Sequence, residues 1–171
     1  MVSLLLRPLR QLSLALVANE SPRQVAWGFT LGMLAGLVPK GNLLAMVLFM
    51  LLCALRVNKP AGLLALGLFS LVGIGLDPLA HAIGSLLLTW EPARPLYAWW
   101  YSLPLAPWSG LNNTVVLGQL AIGLYLAYPI YHITTLFATK LQPRAIAWLQ
   151  RYRAIRWLTG LELGARIGID G

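Results

Sequence analysis

Residues 25–38 and 43–55 form two apolar stretches of helical composition, and only the tetrapeptide Pro39-Lys40-Gly41-Asn42 separates them. A single lysine between two uncharged helices predicts a membrane hairpin with a charged tip. At ~1.5 Å per residue each arm reaches about 20 Å, short of the ~30 Å of a hydrocarbon core. The hairpin therefore either turns back inside the bilayer or only reaches the far headgroups. In the first case Lys40 lies at depth, where an unpaired charge costs at least ~2.5–3.5 kcal/mol. It would then need a carboxylate, a set of carbonyls or a lipid phosphate beside it. In the second case ordinary snorkelling satisfies the ammonium.

Composition points the same way. Of 171 residues 58% are hydrophobic and 11% charged, and the mean hydropathy is +0.72. Soluble domains carry roughly 25% charged residues, so this chain lacks the polar surface to remain in water alone. A single membrane domain over residues 21–139 is expected. Segments 1–20 and 140–171 flank it as amphipathic pieces, the second of them basic.

The net charge of +8 does not indicate a nucleic-acid partner, which would require a solvated basic face. The basic residues instead gather near the N-terminus, in one short loop and after Thr139, as anionic headgroups and cytoplasmic retention select. Arg7, Pro8 and Arg10 interrupt the first apolar run, which disfavours a cleaved signal. Leu5, Leu9, Leu12 and Leu16 form the apolar stripe of an interfacial helix there. Cys53 is the single cysteine, so no internal disulfide forms, and its apolar surroundings suggest a small buried hydrophobe.

Along the chain, Ser21-Pro22 reads as an N-cap with proline at the first helical position. In the helix that follows, Gly28, Gly32 and Gly36 share one face. Such a face admits close backbone approach, either by the hairpin partner or by a second copy in a homo-oligomer. A third apolar run, 61–76, meets Asp77-Pro78, which reads as the cap and first residue of a new helix over 79–90. Residues 96–113 are broken by prolines and rich in Tyr97, Trp99, Trp100, Tyr101 and Trp108, the signature of an interfacial belt. The run 114–138 is the longest, at ~37 Å, and spans a bilayer with a kink at Pro129. With the basic segments in the cytoplasm, both termini lie inside and residues 91–113 outside.

Asp77 and His81 are four apart and share a helical face, as a hydrogen-bonded pair or half a metal site that His132 could join. Asn42, Asn58, Asn112 and Asn113 suit helix ends, with capping favoured for Asn58 and Asn112. Asn42, beside Lys40, could equally face lipid headgroups. No nucleophile–base pair, phosphate-cradling loop or zinc spacing is present in the sequence, so neither an enzyme nor a cofactor is expected.

The string Gly28-Phe29-Thr30-Leu31-Gly32, then Pro39-Lys40-Gly41-Asn42-Leu43-Leu44-Ala45 and Arg56-Val57-Asn58, resembles a bacterial membrane family. That family is domain of unknown function 2062. The likeness covers roughly residues 21–140 and includes Asp77-Pro78-Leu79 with His81, and Asn112-Asn113-Thr114-Val115-Val116. Lys40 stands at a position that varies in the broader family. The resemblance implies a multi-pass inner-membrane protein without an established activity. Its shorter relatives are associated with large AsmA-like proteins thought to bridge lipids across the envelope. The short hairpin is also similar, in architecture only, to the DedA superfamily.

The expectation is an all-α, multi-pass membrane protein with a short hairpin at its centre. It would act as a non-enzymatic subunit that helps membrane lipids enter or reorient for an AsmA-like partner. Lys40, Asn42, Asp77 and His81 would meet the lipid, and Gly28, Gly32 and Gly36 would pack helices. The alternative is a small oligomeric transporter or channel whose pore uses that glycine face.

Overall fold

The computed structural model describes residues 21–140, all of whose regular structure is helical. The proposed amphipathic segments at 1–20 and after Lys140 lie outside the described residues. Five helices follow one another: α1 (Pro22–Leu37), α2 (Leu43–Ala54), α3 (Lys59–Thr89), α4 (Arg94–Tyr101) and α5 (Thr114–Lys140). Two 3-10 turns, Glu91–Ala93 and Ala106–Ser109, flank α4.

Local chemistry sets the helix starts. Ser21 and Gln24 form a reciprocal capping box: the Ser21 hydroxyl accepts from the Gln24 N–H at 3.3 Å, and the Gln24 side chain accepts from the Ser21 N–H at 2.9 Å. Asn42 caps α2 by accepting from the Ala45 N–H at 2.8 Å. Asn58 caps α3 by accepting from the Ala61 N–H at 2.7 Å, and it is almost wholly buried. The Asn58 N–H also donates to the Gln24 carbonyl at 3.1 Å, tying the start of α3 to the first turns of α1. Asn58→Ala should therefore cost about 1–2 kcal/mol, read as a lowered midpoint of denaturant unfolding in detergent micelles.

The glycine stripe does seat a neighbour, but that neighbour is α3 and not the hairpin partner α2. Gly28 lies against the Asn58 carbonyl, Gly32 against Gly62 and Gly36 against Leu66. The constant offset means that α1 and α3 run in the same direction. Because α3 backbone fills this face, it is free neither for a second copy nor to line a pore.

α3 is one helix, with no break at Asp77-Pro78. Asp77 is consequently not an N-cap. The side chain of Gln119 on α5 donates to the Gly73 carbonyl at 2.9 Å, so a neighbouring helix supplies a partner about one turn before the proline. The carbonyl that Pro78 itself leaves without a backbone donor is that of Ile74, four residues back, and the Gln119 bond falls on the residue before it. α5 returns antiparallel along α3, with Gly84 on the Thr114 carbonyl and Gly118 on the Ala80 carbonyl. It then passes α1, where Gly123 meets Leu34 and Leu37 and Tyr131 stacks on Trp27 at 5.0 Å.

The core lies where α1 meets α3 and α5, around Met33, Leu34, Leu37, Val38 and Val116. α2 covers one side of it with Ala45, Leu48 and Leu52. The remaining faces of α2 are apolar and exposed, Cys53 among them, contrary to the expected burial. α3 and α5 are long and apolar enough to cross a membrane. Only 17% and 22% of their most apolar windows are buried, which distinguishes them from the core helices of a soluble domain.

Candidate functional site: the hairpin tip and its cleft

The position of the tip follows from the α1–α3 register. The Leu37 carbonyl lies 3.2 Å from where a Gly73 Cβ would stand. At ~1.5 Å per residue, Gly73 is about 21 Å from the start of α3 and about 24 Å from its end. α1 thus stops beside the middle of α3, and the chain turns back there. Gly41, at φ +99°, makes the turn.

Lys40 is exposed at the turn. Its ammonium donates to the Val38 carbonyl at 3.2 Å and also to the Gly36 carbonyl. These groups lie at the C-terminus of α1, where the helix dipole is negative, so the cation and the helix end satisfy one another. Two of the three ammonium donors are used in this way. The carbonyl partners anticipated for a deep lysine are therefore supplied by its own helix.

Asn42 is occupied locally. Besides capping α2, its amide donates to the Pro39 carbonyl at 2.9 Å. It holds the turn, with its side-chain carbonyl and one of its two amide N–H groups committed to backbone partners.

Beside the tip lies an open cleft of about 820 Å³, walled by Lys40 with Ala45, Met46, Phe49, Leu66 and Trp108. Trp108 comes from the aromatic stretch, which is more than a belt. The Ala106–Ser109 turn packs on α2, and Gly110, at φ +75°, brings its backbone against Asn42. Trp108, still 74% exposed, thereby reaches the same cleft as Lys40. The sequence carries no direct sign of this pairing beyond Gly110, a turn residue two positions after the tryptophan.

A second polar centre lies between α3 and α5. Gln119 is 2% exposed, and its Nε2 donates both to the Gly73 carbonyl and to Asp77 Oδ1, the latter at 2.6 Å. Two acceptors on one side fix the amide orientation. His81 pairs instead with the Thr114 hydroxyl at 2.7 Å. Asp77 and His81 thus each reach across to α5 and not to each other. Gln119 was not anticipated from the sequence.

His132 does not join them. It stacks on Tyr128 at 4.4 Å, about 27 Å along α5 from Thr114. Among the described residues no three His, Cys, Asp or Glu side chains converge as metal ligands. The cap of α5 is Asn113, which accepts from the Val115 N–H at 2.8 Å. Asn112, expected to cap, is exposed instead.

A family model described as "Uncharacterized protein conserved in bacteria (DUF2062)" matches residues 6–147. An uncharacterized protein of Treponema pallidum (strain Nichols) is 28% identical over 144 residues, covering 82% of this chain and 89% of that protein. No solved structure matches.

Proposed function

The chain belongs to the DUF2062 family, and from that premise and the hairpin geometry we propose that it is a non-enzymatic, multi-pass protein of the bacterial inner membrane that helps lipids enter or reorient. The observation that carries this reading is the end of α1 beside the midpoint of α3. If α3 and α5 cross the bilayer, the α1–α2 hairpin is re-entrant and its tip stops near mid-depth. The exposed apolar faces of α2, α3 and α5 support such an environment, because they would otherwise face water.

Arg23, Arg56 and Lys59 lie at the open end of the hairpin, and antiparallel α5 brings Lys140 to the same side. The positive-inside rule makes that side cytoplasmic, with both termini there and residues 91–113 outside. A half-depth hairpin leaves the outer half of the bilayer locally underfilled, which thins it. Lys40 then offers a headgroup a charged foothold partway across. An AsmA-like envelope protein, implied by the family resemblance, would receive the lipid.

Lys40→Leu should abolish lipid scrambling in proteoliposomes, while Lys40→Arg should retain most of it. Scrambling by Lys40→Leu at the wild-type rate would sink this mechanism, provided both variants show wild-type helical content by circular dichroism.

A further inference from the structure

We infer that the tip cleft is a binding site for one phospholipid, with its phosphate on Lys40 and an acyl chain along α2. This rests on the membrane reading above and adds the substrate class.

The cleft walls carry one charge. Lys40 is the cation, and no carboxylate lines the cavity. The ammonium is held in place by the Val38 and Gly36 carbonyls, which leaves one of its three donors for an outside acceptor. A cation already fixed by its own helix loses little freedom when it binds an anion. An anionic oxygen is the natural complement, since charge-assisted hydrogen bonds are the strong ones.

Away from the tip the cleft suits an apolar ligand better than a free inorganic anion. Ala45, Met46, Phe49 and Leu66 offer no hydrogen bond; Asn42 beside Lys40 and the Trp108 indole are the other polar groups in the lining. At about 820 Å³ the space far exceeds a phosphate group and falls in the range of sites for larger organic ligands. Met46 and Phe49 are also exposed on the outer surface of α2, so the cleft is open along that helix. Methionine adapts its shape to a flexible chain. One fixed cation at the end of an apolar trough matches an amphiphile with a phosphate head. The bound lipid would sit with its headgroup sunk to the level of the tip.

The test is native mass spectrometry of the delipidated full-length protein in detergent, titrated with phosphatidylglycerol. Diacylglycerol of the same chains and inorganic phosphate are the comparison probes. We expect one phosphatidylglycerol per chain, with diacylglycerol binding at least about tenfold more weakly and no displacement by millimolar phosphate. Lys40→Gln should weaken phosphatidylglycerol binding about tenfold, and Lys40→Arg should preserve it. Met46→Glu sets a carboxylate in the cleft from an already exposed position, and it should abolish the adduct with the fold unchanged.

Equal binding of diacylglycerol, displacement by phosphate alone, or unaltered binding by both Lys40→Gln and Met46→Glu would each overturn the site. The functional proposal fails separately. Tight lipid binding without scrambling leaves this site standing, and Lys40-dependent scrambling without a retained lipid removes the site alone.

Discussion

Gly32→Leu should prevent α1 from docking on α3, leaving a protein that migrates as aggregate in size-exclusion chromatography. A Cβ at Gly32 would overlap the Gly62 carbonyl, and the next nearest atoms, at 2.7 and 2.8 Å, are also Gly62 backbone. No rotamer change relieves a clash with main chain. The two helices would have to separate, opening the core around Met33, Leu34 and Leu37. Overpacking alone costs about 1–3 kcal/mol, and loss of the helix contact adds to it. Gly67→Leu is the control, because a Cβ there meets nothing within 4 Å. It should not destabilise the protein, and the better helix preference of leucine should add up to about 1 kcal/mol. Normal folding of Gly32→Leu would contradict the parallel α1–α3 register, and with it the end of α1 beside the middle of α3.

The second large effect is expected at Gln119. Gln119→Leu keeps the approximate volume but removes both donors, to the Gly73 carbonyl and to Asp77. Asp77 then loses its Gln119 partner in the middle of a long apolar helix. Hydrogen bonds to charged groups contribute about 1.5–3 kcal/mol, and interhelical ones in membranes average less, about 0.6 kcal/mol. A loss of roughly 1–3 kcal/mol is therefore expected in SDS unfolding of the micellar protein. Asp77→Asn should be nearly neutral, because an amide oxygen can still accept from Gln119. The double variant Asp77→Leu with Gln119→Leu should recover much of the loss, since both polar partners disappear together. Strict additivity of the two leucine substitutions would show that the pair is incidental.

How far the sequence could be read divides by range. The caps at Ser21 and Asn58 and the turn at Gly41 were legible, because each depends on groups within three or four residues, whereas Asn42 left capping and headgroup contact equally open until the structure showed it as a cap. Asp77-Pro78 shows where this fails. The dipeptide has the chemistry of a helix start, yet α3 continues through it with α5 packed alongside, Gly84 and Ala80 of α3 meeting Thr114 and Gly118. Asp77 and His81 do share a helical face, but the face turns toward α5 and each finds its own partner there. Asn113 displaced Asn112 as the cap through a one-residue choice that spacing alone does not resolve.

By itself the sequence determined a helical chain with long apolar helices, a hairpin with Lys40 at its tip, and a glycine face that some backbone must occupy. These follow from composition, from period and from short-range hydrogen bonding. Only the tertiary structure decided that α3 occupies that face in parallel, that the tip stops halfway along α3, and that Trp108 lines the same cleft as Lys40. The reason is physical: smooth glycine faces and apolar stripes specify close packing without naming the partner. Which helix fills them depends on the simultaneous fit of α1, α3 and α5.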